Sequence, residues 1–524
     1  MVQKEIKRKG YLNELMRYKD VDLIKVITGM RRAGKSILMR QFRAVLESTG
    51  VSKECIVYID MDSIQNDIYR DGRKLYSNMV DKSSAGRLYI LIDEVQMINQ
   101  WVRVIESLRN DIDCDLYITG SNAHMLSSEI ATLLTGRSIT LTLLPFSLNE
   151  VCELNGGGDP KITFVEYIRH GGIPILRPGL SEDTTFQLLN ELKSDIILKD
   201  ICNRSPGTDP LKIRKVIDYL YSEIGNPISI SKISVELGMS TSVVSNYLRL
   251  ITDSMLFTKV ERYDLKGKKV LSQEPKYYCT DTGMRYSQPI SSERDMGKVL
   301  ENIVYLELVR RGCRVYVGRP ESSADNNDRH LEIDFIVIKE GGNDYYQVTQ
   351  TLIDPTVFER EITPLRKVTG RGERYILTYD DRPRSNGQDA VIMNIVEFLT
   401  MESGDDTKTS IPGVREEMLW KMVEYRDVCL KIANTEVNRT NFDHLSYELQ
   451  GKFFDLQSFI MSELEGDGQM QEILARIRVN NVRIFNSMIG CVNVGDGKMF
   501  KPSIETEIGY LEGIIEEIGK GNES

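Results

Sequence analysis

Short apolar runs alternate with stretches of helical spacing over the first 145 residues or so. Asp22–Thr28, Arg87–Glu94, Asp115–Asn122 and Ile139–Leu144 are each brief, nearly continuous in apolar residues and rich in β-branched ones. Such runs suit strands covered on both faces, as in a parallel sheet. Between them Ile37–Leu46 carries the three-and-four spacing of an amphipathic helix. From Phe146 to about Asn203 the pattern turns mostly helical, with a break at Gly156-Gly157-Gly158. Helices are next expected at Ile230–Leu237 and Thr241–Leu250 around the turn Gly238-Met239-Ser240, then strands at Leu256–Val260 and Lys276–Tyr278. A helix at Val299–Leu308 and strands at Glu332–Ile338 and Tyr345–Thr349 follow. Ser403–Ser410 reads as a polar linker, and residues 411–524 read as all helical. There Ile504, Ile508, Leu511, Ile515 and Ile518 form one apolar stripe, of the kind more often used in a core than in an oligomer seam.

The first strand and helix enclose Gly29-Met30-Arg31-Arg32-Ala33-Gly34-Lys35-Ser36, which fits G-x-x-x-x-G-K-[ST]. Strand, glycine loop and helix start are the three parts of a phosphate cradle. The glycines let backbone N–H groups turn inward, and the helix N-terminus adds partial positive charge. Lys35 is expected to reach the β- and γ-phosphates of ATP, and the Ser36 hydroxyl to ligate Mg2+. The apolar strand ending in Asp93-Glu94 supplies what such a loop lacks. Asp93 can hold magnesium directly or through water, and Glu94 can orient and deprotonate the attacking water. Asp115–Thr119 ends in Gly120-Ser121-Asn122, where Ser121 or Asn122 could sense the γ-phosphate or position water.

These motifs, with Ile92-Asp93-Glu94-Val95-Gln96, Trp101, Thr119-Gly120-Ser121 and Gly171-Gly172-Ile173-Pro174, resemble those of a prokaryotic AAA+-like ATPase family. Its members carry the ATPase first and a domain of unknown function behind it; Tyr278, Asp281, Gly283, Glu301, Asp334 and Gln347-Val348 match that second part. The resemblance spans about residues 1–400 and implies ATP binding and hydrolysis. Arg137, just before a strand, stands where ring-forming AAA+ enzymes present an arginine finger to a neighbour, which leaves a homo-oligomer open; a surface ion pair is the competing reading.

The expected fold is α/β: a P-loop NTPase core with a parallel sheet (1–146), a helical lid (147–205), a winged helix-turn-helix (206–290), a restriction-endonuclease-like domain (291–400) and a helical domain (411–524). In the lid, Asp195 and Asp200 read as solvated or helix-pairing acids. Ser242, Ser245, Asn246 and Arg249 lie on the polar face of the second helix and suit a DNA major groove, with Lys266-Gly267-Lys268-Lys269 at a hairpin tip to grip phosphate. A protein contact suits a winged helix equally well. In the following domain an acid on a helix (Glu301) and acids at a strand start (Glu332, Asp334) resemble a nuclease metal site. Gln347 and Thr349 replace the acid and lysine of the usual E-x-K, so cleavage is not expected.

Composition narrows the setting. Four histidines and eight scattered cysteines with no C-x-x-C pair argue against zinc sites or a disulfide framework and favour the cytoplasm. No apolar run reaches the roughly 20 residues that span a bilayer. The net charge of −10 confines any nucleic-acid surface to a local patch. Three functions remain in play: an ATP-driven switch acting on DNA, an ATP-regulated protein-binding module, and a nucleotide-dependent nuclease.

Overall fold

The structure, a computed structural model, describes residues 5–120, 137–176, 178–265, 267, 269–287, 296–319, 331–339, 342–381, 385–386 and 389–401, with isolated positions from 422 to 512. The chain divides into two units, Met1–Ser403 and Gly404–Ser524.

Five strands build the first sheet of the larger unit: β1 (Ile24–Thr28), β2 (Ile56–Asp60), β3 (Leu88–Asp93), β4 (Cys114–Thr119) and β5 (Ser138–Thr142). All pair in parallel, in the order β2-β3-β4-β1-β5. Every residue of β1 and β3 is buried, as a mostly apolar strand covered on both faces requires. Helices α1 (Lys9–Arg17), α2 (Lys35–Ser48), α3 (Gly72–Lys82) and α4 (Trp101–Asp111) accompany the sheet, and two apolar clusters form around it. The charged exception inside β1, Lys25, is neutralised by a short ion pair to Asp115 on β4, whose carboxylate also accepts from the Tyr117 hydroxyl at 2.8 Å.

Helices α5 (Leu148–Leu154), α6 (Pro160–His170) and α7 (Glu182–Asp195) follow. Each starts on a side-chain cap: Ser147 with Glu150 as a capping box, Asp159 ahead of Pro160, and Ser181. One π-helical turn, Ile196–Ile201, continues α7. Next come α8 (Pro210–Ser222), α9 (Ile230–Leu237) and α10 (Thr241–Asp253), then the antiparallel hairpin β6 (Phe257–Asp264) and β7 (Lys269–Cys279) and the short α11 (Thr282–Tyr286). Helix, turn, helix and hairpin therefore occur in the expected order. Lys266 and Lys268 lie outside the described residues.

The rest of this unit is α12 (Met296–Arg310), β8 (Arg314–Arg319), β9 (Ile333–Lys339), β10 (Gly342–Thr349), α13 (Pro355–Arg366), β11 (Arg374–Thr378), β12 (Ser385–Asn386), β13 (Val391–Asn394) and α14 (Ile395–Thr400). Its strands join the hairpin in one eight-stranded sheet, ordered β12-β13-β11-β10-β9-β8-β6-β7. The bridge is the parallel pair β6–β8, with Arg262 opposite Val317. The boundary expected near residue 290 thus separates two stretches that share a sheet. Helix α12 is buried continuously from Val299 to Leu308, because side chains from the sheet, α5, α6 and α14 pack against it.

In the smaller unit, Tyr425, Cys429, Leu449, Phe453 and Leu456 are helical and buried, as is Ile508 of the expected stripe. Tyr425 and Phe453 pack with ring centroids 6.1 Å apart. Ile504, Leu511, Ile515, Ile518 and the linker 403–410 lie outside the described residues.

Candidate functional site

The glycine loop joins the carboxyl end of β1 to α2, so the helix starts where the cradle ends. A Cβ on Gly29 would lie 2.4 Å from the Leu143 carbonyl oxygen, and Gly34 has φ +102°; only glycine meets both demands. Met30 and Ala33 are fully buried and pin the loop from beneath. Below it the Arg8 guanidinium donates to the Leu144 carbonyl at 2.9 Å and to Glu150 at 2.7 Å.

Lys35 is buried, and its ammonium donates to the loop carbonyls of Gly29 (2.8 Å) and Met30 (3.3 Å). Burial pulls its pKa down, opposed by the charges of Glu94 and Asp93. Asp93 accepts a short hydrogen bond from the Thr119 hydroxyl, and the Ser36 hydroxyl lies near enough to favour its charged form, so the loop and the acidic strand tip meet. Burial nevertheless raises the Asp93 pKa. Glu94 sits in the left-handed region (φ 57°, ψ 53°), a costly conformation for a residue with a side chain. Its N–H donates to Thr119 Oγ1 at 3.1 Å, and its carboxylate accepts a short bond from Gln96. Burial raises the Glu94 pKa as well, with Lys35 opposing.

Lys35, Ser36, Glu94 and Gln96 border a cleft of about 610 Å³ that Arg40, Asp62, Pro174, Asp200 and Ser254 also line. Arg31 reaches across one edge: its guanidinium makes two 2.8 Å hydrogen bonds to the Asp200 carboxylate on the π-helical turn. Asp200 is therefore no solvated acid. It is 7% exposed, and its charge is matched by the phosphate loop. Asp195 does behave as expected, pairing with Lys199 at 2.9 Å on the helix surface.

Arg137 is not brought to this cleft. It precedes β5, its carbonyl accepting from the Ile24 N–H at the start of β1, whereas the loop follows the other end of that strand. Its half-exposed guanidinium donates to Glu106 at 3.2 Å. Ser121 and Asn122 lie outside the described residues; their neighbour Thr119 is the hydroxyl that ties Asp93 to Glu94.

The nuclease-like residues also assemble, around a partner that no sequence motif marks. The ammonium of Lys276, on β7, lies 2.9 Å from Glu301, 2.5 Å from Glu332 and 4.0 Å from Asp334. Glu301 further accepts from Lys298 (2.7 Å) and the Tyr278 hydroxyl (2.5 Å), and Glu332 from Arg262 (2.7 Å). Gln347 accepts from the Asp334 N–H and donates to Glu361, a second residue that no motif marks. The Thr349 hydroxyl is spent on the Thr351 carbonyl. A cavity of about 570 Å³ opens here. Among the described residues no three carboxylate, histidine or cysteine side chains are grouped to hold a metal ion. The acids are already compensated by lysine and arginine, so a nuclease metal does not fit.

Magnesium at the first cleft does fit. Ser36 and Asp93 offer hard oxygens side by side, and this ion commonly takes one or two protein ligands and completes its shell with phosphate and water. On α10, Ser242, Ser245, Asn246 and Arg249 are all exposed, with Arg249 bonded to Asp253 (3.0 Å) and Asn246 (3.1 Å). No helix among the described residues is long and apolar enough to cross a membrane.

Residues 22–152 match the AAA domain family, and residues 161–294 match a domain of unknown function, DUF8612. An uncharacterized protein of Haemophilus influenzae is 35% identical over 354 residues, which are 66% of this chain and 86% of that protein. An uncharacterized protein of Methanocaldococcus jannaschii is 27% identical over 370 residues, 66% of this chain and 78% of that one. Among solved structures, the Aeropyrum pernix ORC1 protein in complex with DNA is similar to 59% of this chain and 95% of its own, at 12% identity and a TM-score of 0.24.

Proposed function

We propose, from the premise that this chain belongs to the family of the uncharacterized Haemophilus influenzae protein and is a P-loop nucleotide-binding ATPase with an AAA domain, that it hydrolyses ATP to drive a switch acting on DNA. The observation that carries the hydrolytic part is the convergence of Lys35, Ser36 and Glu94 on one cleft, with Asp93 beside Ser36 behind its wall.

The loop amides and the start of α2 receive the phosphates. Lys35 exchanges the carbonyls of Gly29 and Met30 for β- and γ-phosphate oxygens, which are better acceptors for an ammonium. Ser36 and Asp93 would hold Mg2+, which when bound offsets the negative charge of the β- and γ-phosphates. Glu94 takes a proton from water as the water oxygen bonds to the γ-phosphorus and the bond to the β,γ-bridging oxygen breaks, releasing ADP and phosphate. A carboxylate with a raised pKa is the stronger base for that transfer. Arg137, remote from its own cleft, would serve only the nucleotide of a second copy.

DNA is favoured as the partner by the polar, exposed face of α10. The compensated cluster around Lys276 speaks against a nuclease. ATP turnover with and without duplex DNA tests the whole reading: stimulation by DNA supports it, and absence of turnover in both conditions rejects it. If ATP turns over but DNA neither stimulates it nor binds in a salt-dependent way, the protein-binding module is the better account.

A further inference from the structure

The arginine at the third position of the phosphate loop is not required by the motif, which leaves that position open. Here it is spent on an acid 169 residues away. Both Asp200 oxygens are engaged by one guanidinium, in the fork-to-fork arrangement that gives the strongest side-chain ion pairs. Arg31 is the more accessible partner, with a third of its side chain exposed, and it lies within electrostatic reach of Glu94 in the cleft wall.

Two further features tie this pair to the helical layer. Met30, the residue just before Arg31, is fully buried in an apolar cluster with Ile196, Ile197 and Ile201 of the π-helical turn and with Val216 and Ile217 of α8. The turn itself departs from α-helical hydrogen bonding exactly where Asp200 projects, and single π turns recur at functional positions. Loop and helical layer thus share one apolar contact and one ionic contact.

We propose that the Arg31–Asp200 pair is a γ-phosphate sensor: a bound triphosphate takes Arg31 from Asp200, and the freed turn 196–201 passes that change to the winged helix. This rests on the nucleotide reading above. A phosphate carrying its full charge competes well for a bidentate guanidinium. Once Arg31 leaves, Asp200 is a buried carboxylate without that partner, a state relieved when the turn shifts toward solvent. ADP, lacking the γ-phosphate, leaves the pair in place.

Hydrogen exchange of the full chain over residues 196–204, with a nonhydrolysable β,γ-methylene ATP analogue or ADP bound, tests this. The triphosphate should speed exchange in that segment by about tenfold over ADP, a coupling of ordinary size. In Asp200→Asn the segment should exchange fast without nucleotide and ignore its kind. The ratio of triphosphate to diphosphate affinity should then rise about tenfold, since the competitor for Arg31 is gone. Arg31→Gln, a second variant should the first fail to fold, should lower that ratio by a similar factor. Equal exchange under both nucleotides in a wild-type chain that binds them, or an unchanged ratio in Arg31→Gln, overturns the sensor and leaves the ATPase reading standing. Absence of binding to either nucleotide overturns both.

Discussion

The ammonium of Lys276, on β7 of the β6–β7 hairpin, lies 2.9 Å from a carboxylate oxygen of Glu301 on α12. Neither residue's side chain is more than 3% exposed, so this contact locks together the two stretches that the shared sheet already joins. The same lysine stands among acids whose arrangement would otherwise suggest a metal.

Replacing Lys276 with Met should therefore destabilise the larger unit by about 3–5 kcal/mol, the usual cost of removing one member of a buried ion pair, although Lys298 still faces Glu301. Denaturant unfolding of the full chain measures it, and combining the change with Glu301→Leu should recover part of the loss. The wild-type chain should leave duplex DNA uncut with Mg2+ or Mn2+ present; metal-dependent cutting would refute the internally neutralised site.

Lys35→Ala should lower ATP turnover by at least roughly 100-fold, a usual penalty for deleting one donor to transition-state charge. Steady-state phosphate release by the purified variant is the measurement. Turnover near the wild-type rate would reject this loop as the site.

Glu94→Gln separates binding from chemistry. The amide keeps the shape of the side chain and an oxygen for Gln96 to donate to, but it cannot take a proton. Nucleotide affinity should stay within about threefold, while turnover falls by about 10²–10⁴. Equal losses in both would make Glu94 a binding residue instead.

Asp281 gives the larger unit a pH dependence. Its carboxylate accepts from the backbone N–H groups of Gly172 (2.7 Å) and Gly283 (2.9 Å), yet burial pushes its pKa up to about 7 from an ordinary 3.8. The folded chain then holds this proton more tightly than the unfolded one. Stability from this group is complete below pH 3.8 and is lost as pH rises through 7. Between pH 5 and 8 the melting temperature of the wild type should fall more steeply than that of Asp281→Asn. Parallel curves for the two proteins would show that burial does not govern this carboxyl.

The phosphate loop, the acidic strand tip and the order of helices and strands were legible along the chain because each is a local property. Consecutive apolar residues specify a covered strand, glycines at fixed spacing specify the cradle, and both lie within a few residues of what they position. Even so, the left-handed backbone of Glu94 and its bond to Thr119 could not be read, since a strand end gives no sign of which hydroxyl will face it across the sheet. Asp200 and Lys276 show why more escaped. An aspartate on a helix and a lysine on a strand look alike in sequence whether solvated or buried. Only packing removed the water around them, and once dry each needed an opposite charge brought from far along the chain: Arg31 for one, Glu301 and Glu332 for the other. The sequence by itself determined where phosphate chemistry could occur. The tertiary structure decided which distant charges surround it, because the cost of burying an ion falls only when a partner arrives.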